Sequence, residues 1–499
     1  MSAFIGIDLG TTYSAVATID QSGRPVIVHN CDGSNITPSC VAESGKGVID
    51  VGEEARRTWG VTPEKAAARF KREMGTGTTF KVEGNLLTPT ELSALVLKKL
   101  VKDAKEQIGE VGEAVVTIPA NFSNEAREAT MSAAKSAGLN VKYIINEPTA
   151  AALYYAFKNG EDLRGNYAVF DMGGGTFDIS IIKVDGQNVD VLASNGVSKL
   201  GGDDFDKAMR DIVCKKYEKL TGDKLDDDDF TLNDAEEEKK SLSKRASVTV
   251  KVNKKLIDIT RTEFEEAIST MIAQAEMLCE STIEEAGLSP SDVKSVLLAG
   301  GSTRLPAVQE SIKRVFKQEP ISSVNVDEVV ALGAALYAAY KGDRANLSEA
   351  QKHSINKINV SESTSKCFGT ISLGHDENRD THALQNSILI SKGEKIPCSV
   401  TESFYTMIDG QTKVACRLTE STSPETDPRF VKIIWEGDLE LPKDRAEGQE
   451  IKVTFSYDQN QMMKCSFVDV ATGRETNVDM AMAAASTGKA NSIEKFMVE

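Results

Sequence analysis

A chain of 499 residues is too long for one compact core, so two or three domains are expected. With 40% hydrophobic and 27% charged residues, its composition is that of a globular protein rather than a fibrous or disordered one. The net charge of −17 excludes nucleic acid and anionic membrane as standing partners, although backbone N–H groups and a metal could still hold a phosphate ligand locally.

In chain order, Phe4-Ile5-Gly6-Ile7-Asp8 opens as a buried strand. No basic region and long apolar stretch precede it, so it does not read as a signal peptide. Short apolar runs then alternate with helical patterns up to about residue 341, the mark of an α/β domain. Residues 115–118, 168–170 and 296–298 predict buried strands; 89–107, 124–137 and 261–286 carry helical periodicity. Pro148 suits the first turn of a helix running through 150–153, where its missing N–H costs nothing. Residues 342–366 are polar and read as a linker. From 367 to 480 strand-like alternation dominates, as where Ile451, Val453 and Phe455 face one way, and predicts an all-β domain. Residues 481–499 are expected to be a short C-terminal tail with at most one short helix.

The aspartate run 226–229 reads as a solvated loop and 236–238 as an exposed helix face. Eight scattered cysteines without a CxxC pair, and only four histidines, predict free thiols in a reducing compartment and no structural zinc. No segment approaches the ~20 apolar residues that span a bilayer. The chain is therefore expected to be cytoplasmic.

One internal echo stands out. Ile5-Gly6-Ile7-Asp8-Leu9-Gly10-Thr11-Thr12 reappears as Ala168-Val169-Phe170-Asp171-Met172-Gly173-Gly174-Gly175-Thr176. Each is a buried strand with an aspartate at its end, followed by a Gly/Thr turn. Either alone could be an ordinary tight turn; as a pair they predict a duplicated fold holding a ligand between its halves. Glycine permits close backbone approach to polyphosphate, threonine supplies donors, and Asp8 and Asp171 suit an outer-sphere role around Mg²⁺. A third strand and glycine turn, Leu297-Leu298-Ala299-Gly300-Gly301-Ser302-Thr303-Arg304-Leu305-Pro306, precedes a helix start. No GxxxxGK[ST] string occurs at these turns, so a P-loop is not supported.

With these strings in order, the sequence resembles the seventy-kilodalton heat-shock chaperones, the DnaK-like proteins of the actin and sugar-kinase superfamily. Residues 5–14 are similar to that family's first phosphate motif, 170–180 to its second, 144–152 to its connecting motif and 299–306 to its adenosine motif; 200–206 is also family-like. The resemblance implies a two-lobed, actin-like ATPase domain followed by a β-sandwich that binds unfolded or extended peptides, with ATP or ADP, Mg²⁺ and K⁺ as cofactors. Lys71, within 69–75, matches the lysine that orients the γ-phosphate and attacking water. Thr11 and Thr176 match hydroxyls that position them, with Asp8 and Asp171 in the metal's shell through water and Glu147 and Asp178 around the attacking water. Nucleotide contacts carry over to Gly10, Thr12, Tyr13, Gly173, Gly174, Gly175, Gly202, Asp203, Glu236, Lys239, Lys240, Ser243, Gly300, Gly301, Ser302, Thr303, Arg304 and Asp327. Lys240 departs from the family's arginine and should stack more weakly on adenine, since it lacks a planar guanidinium.

Other departures concern partners. The resemblance implies a nucleotide exchange factor and a J-domain co-chaperone. However, the short acidic, leucine-containing connector is missing between 340 and 367, and Tyr143 stands where an arginine is common. No sequence for the long helical lid follows residue 480, so bound peptide is expected to leave faster. Residues 375–387 do not align with the family's substrate arch, and the stretches 75–90 and 226–252 are shorter than usual. Two alternatives stay open: an ATP-binding co-chaperone or sensor with little hydrolysis, and a small-molecule kinase of the same superfamily.

Overall fold

The computed structural model describes residues 3–45, 47–82, 84–160, 163–321, 324–376, 381–479 and 493–499. The chain divides into two compact units, Met1–Val360 with Ala490–Glu499, and Ser361–Lys489.

The first unit is built on a repeated sheet. In one copy the strand Ala3–Asp8 pairs in parallel with Val111–Ile118, which pairs in parallel with Val141–Asn146; on its other side Ala3–Asp8 runs antiparallel to Tyr13–Ile19, followed by Pro25–Val28. In the other copy Arg164–Met172 pairs in parallel with Val293–Ala299 and antiparallel with Phe177–Asp185, followed by Asn188–Val197. The sequence echo is thus the same hairpin at the same place in two sheets.

Two helices join the copies. Glu147–Asn159 carries Pro148 in its first turn, and Val329–Lys341 is apolar almost all round, as a helix buried on every side must be. They share one core with Phe4, Ile19 and Val115 of the first sheet and Val169, Ile182 and Leu297 of the second. Their crossing is so close that a Cβ on Gly333 would lie 1.8 Å from the Ala150 carbonyl oxygen, so only glycine fits there. The helices expected from periodicity are present as Pro89–Ile108, Asn124–Ser136 and Arg261–Glu285. Thr88 with Glu91, and Thr260 with Glu263, form capping boxes that fix where two of them start.

The polar stretch read as a linker contains the helix Glu349–Ile355, started by a Ser348–Gln351 capping box. Leu347, Ile355 and Ile358 are buried in the first unit's central core, and the division falls at 360/361. Three apolar side chains, not the polar majority around them, decide where this segment goes. Of the stretch read as a tail, 480–492 lie outside the described residues; 493–499 belong to the first unit and contain the strand Met497–Val498.

The second unit stacks two antiparallel sheets. One runs Thr381–Ile390, Cys367–Asp376, Lys413–Ser421, Lys432–Glu440; the other Cys398–Tyr405, Glu450–Tyr457, Met463–Asp469, Glu475–Asp479. Ile451, Val453 and Phe455 do point one way, into a core with Phe368, Leu418, Leu439 and Phe467. Of the stretch 375–387, residues 377–380 are outside the described set. Among the described residues no helix is long and apolar enough to cross a membrane.

Candidate nucleotide site

The two hairpin turns meet. A Cβ on Gly174 would sit 1.9 Å from the Thr12 hydroxyl oxygen, and one on Gly175 would sit 2.5 Å from that of Thr11. The turns therefore interlock with backbone against hydroxyl, a contact that any side chain at these glycines would wedge apart. They line a cavity of about 370 Å³. All the site residues expected from sequence line it except Gly175, Asp178 and Thr303. Gly175 lies behind the rim against Thr11. Asp178 is the cross-strand partner of Asp171 and accepts the Asn121 N–H at 3.1 Å. Thr303 turns inward and donates to the Gly300 carbonyl at 2.6 Å.

Negative charge dominates the deep end. Asp171, Asp178 and Glu147 are all under a tenth exposed. Lys71, in the short turn Phe70–Glu73, is the cation among them; its Nζ lies 2.6 Å from Glu147 Oε1 and 5.6 Å from the centre of the Phe122 ring. Burial pushes the Asp8 carboxyl up to about 7, Glu147 adds to the rise, and Lys71 and the Thr117 hydroxyl oppose it. Asp178 is also pushed up to about 7, by burial first and Glu147 second. Asp171 is raised by burial and by the neighbouring Glu147, Asp178 and Asp8. A site with this surplus of carboxylates fits a bound cation. Among the described residues no three His, Cys, Asp or Glu side chains converge to cage a metal by themselves. The donor set instead suits Mg²⁺, which keeps most of its waters and needs one or two carboxylates plus phosphate oxygens. The Thr12 hydroxyl is buried in the same wall with no hydrogen-bond partner, a donor free for a ligand oxygen.

At the shallower end lies the helix Leu232–Leu242, capped by Thr231 with Asp234. Glu236 was expected on an exposed face but is buried: burial raises its carboxyl, and Arg56, Lys240 and Lys239 outweigh that and hold it below the usual range. Lys240 Nζ lies 2.9 Å from Glu236 and 5.7 Å from the Tyr13 ring centre, so this lysine is committed to carboxylates around the cavity mouth. Lys239 Nζ pairs with Asp206 at 2.6 Å, the Ser302 hydroxyl donates to the Gly173 carbonyl, and Arg304 pairs with Asp327 at 2.8 Å. Ser243 turns its hydroxyl onto the Lys240 carbonyl.

Sequence reasoning passed over three arginines that do not line the cavity but hold residues that do. Arg69 reaches Asp203 at 2.8 Å and Asp206 at 2.9 Å; Arg72 grips both oxygens of Asp204; Arg56 reaches Glu236 at 2.9 Å and stacks on Tyr13. All three come from the first sheet's side and the carboxylates they pair with from the second's, so they clamp the two sides together. The string that holds Arg69 and Arg72, 69–75, was visible, but only Lys71 in it was given a role. The partners lie 134 positions or more away for Arg69, and no local pattern announces them.

The Hsp70 protein family model matches residues 4–83 and 76–499. The chain belongs to the Hsp70 family, whose members are chaperones and typically ATPases that bind ATP or ADP with Mg²⁺.

Asp178 in the folded protein titrates near 7 rather than 3.8, so its burial costs nothing below about pH 4, and the cost grows until the pH passes 7. Asp178→Asn should therefore stabilise the nucleotide-free protein by on the order of 4 kcal/mol at pH 8 and by less than about 1 kcal/mol at pH 4. Urea unfolding at the two pH values checks this; an equal effect at both would contradict it. Arg69→Ala leaves Asp203 and Asp206 buried beside a missing partner and should cost about 3 kcal/mol. The companion Arg69→Lys should recover only part of that loss, because it cannot bridge two carboxylates.

Proposed function

We propose that the first unit is a two-lobed, actin-like ATPase and that its nucleotide cycle governs binding of unfolded or extended peptide by the second unit. The observation that carries this reading is the interlock of the two Gly/Thr turns above a pocket of carboxylates around Lys71. In it the turn 10–12 and the turn 173–176 cradle the phosphates with backbone N–H groups and the hydroxyls of Thr11, Thr12 and Thr176. Asp8 and Asp171 would hold Mg²⁺ through water, and the resemblance implies K⁺ as a further cofactor. When bound, Mg²⁺ supplies positive charge that offsets the phosphates and the carboxylates at once.

Lys71 steadies the γ-phosphoryl charge, and its ion pair with Glu147 keeps its ammonium aimed into the cavity. Glu147 and Asp178 orient the attacking water and take up its proton, a task suited to Asp178 because its carboxyl titrates near neutrality. Adenosine lies against Glu236, Lys239, Lys240, Ser243 and Arg304 at the cavity's mouth. An exchange factor and a J-domain protein are the co-chaperones of this reading. We further propose that the protein works in the cytoplasm.

Anisotropy of a fluorescent, extended apolar peptide on the full chain, with ATP, with ADP and without nucleotide, tests the coupling. Affinities should differ at least tenfold between ATP and ADP, and Thr176→Ala should abolish the difference. Equal affinities in all three states would refute coupling. Single-turnover hydrolysis in the same samples separates this enzyme from a sensor: ATP that binds and is not cleaved would make the chain a nucleotide sensor.

A further inference from the structure

The described end of the chain is part of the ATPase unit. Met497–Val498 adds a parallel strand to the edge of Val48–Val51, with Met497 opposite Val48. The Met497 N–H donates to the Gly47 carbonyl at 2.9 Å, the Glu499 N–H to that of Ile49 at 2.8 Å, and the Val51 N–H to the Glu499 carbonyl at 3.4 Å. Side chains alternate as a half-buried strand requires: Phe496 and Val498 are buried, and Met497 is 58% exposed. Ile493, Phe496 and Val498 belong to the same core as Ile49, Val51 and Phe70. Lys102 caps the Val498 carbonyl, and Lys495 reaches Asn85 at 3.0 Å.

That sheet is also the mount for Lys71 and for the arginines that pair with carboxylates of the second sheet's side. Its order is Met497–Val498, Val48–Val51, Cys40–Gly45, Ala66–Ala68. Ala66–Ala68 leads directly into Arg69, which is held at φ 61, and the turn carrying Lys71 and Arg72. Val48–Val51 leads through Gly52 into the helix Glu53–Val61, which carries Arg56. We propose that residues 493–499 are a built-in β-strand ligand that positions the Lys71 turn and the Arg56 helix, so that the segment following the second unit reports to the nucleotide site. The energetic logic is edge pairing: main-chain hydrogen bonds supply affinity, and alternate buried side chains supply register. Phe496 and Val498 are positioning residues; they touch no ligand. The functional part of this inference rests on the nucleotide reading above, and the docking part does not.

The test compares the full chain with a variant lacking residues 493–499, by amide hydrogen exchange and by release of fluorescent ADP. Deletion should raise exchange at least tenfold at the Val51 amide and at the Arg72 and Met74 amides, which donate to the Arg69 and Lys71 carbonyls. Amides of the helix Arg261–Glu285 should be unaffected, showing that the rest stays folded. ADP should leave at least threefold faster, and a synthetic peptide of residues 493–499 added in trans should reverse every change. Phe496→Asp should mimic deletion, whereas Met497→Ala should be silent. Unchanged exchange at Val51 would overturn the docking, and lost protection at Val51 with Arg72 and Met74 unchanged would overturn the positioning. If the intact chain binds no nucleotide, the ATPase reading fails while these amides still decide the strand's role.

Discussion

Two turns drawn from opposite ends of a duplicated fold occupy one another's space at Gly174 against Thr12 and Gly175 against Thr11. Each turn ends a buried strand, and each strand is fixed by a parallel neighbour on one side and an antiparallel one on the other. The two helices that cross at Gly333 and Ala150 carry that alignment from one sheet to the other. Moving either sheet would separate the turns, so the contact makes the site a property of the whole unit rather than of a loop.

The meeting of the turns brings together groups that repel. Carboxylates buried around Lys71 cannot all stay ionised cheaply, and the raised pKa values of Asp8, Asp171 and Asp178 express this. A cation with phosphate ligands would resolve the conflict. The shallower end solves its charges internally. Beside it Arg56, Arg69 and Arg72 pair with Glu236, Asp203, Asp206 and Asp204, each pair useful mainly because losing one member leaves the other stranded. One end is thus poised for a ligand, and the other holds the halves around it.

How much of this a sequence shows depends on how local the cause is. Strand, aspartate and Gly/Thr turn are contiguous, so both hairpins, the long capped helices and the alternation of Ile451, Val453 and Phe455 were legible. Glu236 was misjudged as an exposed face because Arg56, which buries and neutralises it, lies 180 positions away. The helix Glu349–Ile355 hid in a polar stretch, although the spacing of Ser348 and Gln351 was a readable capping signal. Met497–Val498 is too short for any propensity to mark; its conformation is imposed by the strand edge it joins.

The most direct test is a structure of the full chain with Mg²⁺ and a non-hydrolysable ATP analogue. The triphosphate should lie between Thr11 and Thr176, with the metal's waters on Asp8 and Asp171 and adenine beside Lys240. A triphosphate bound away from both turns, or held at only one of them, would contradict the duplicated site.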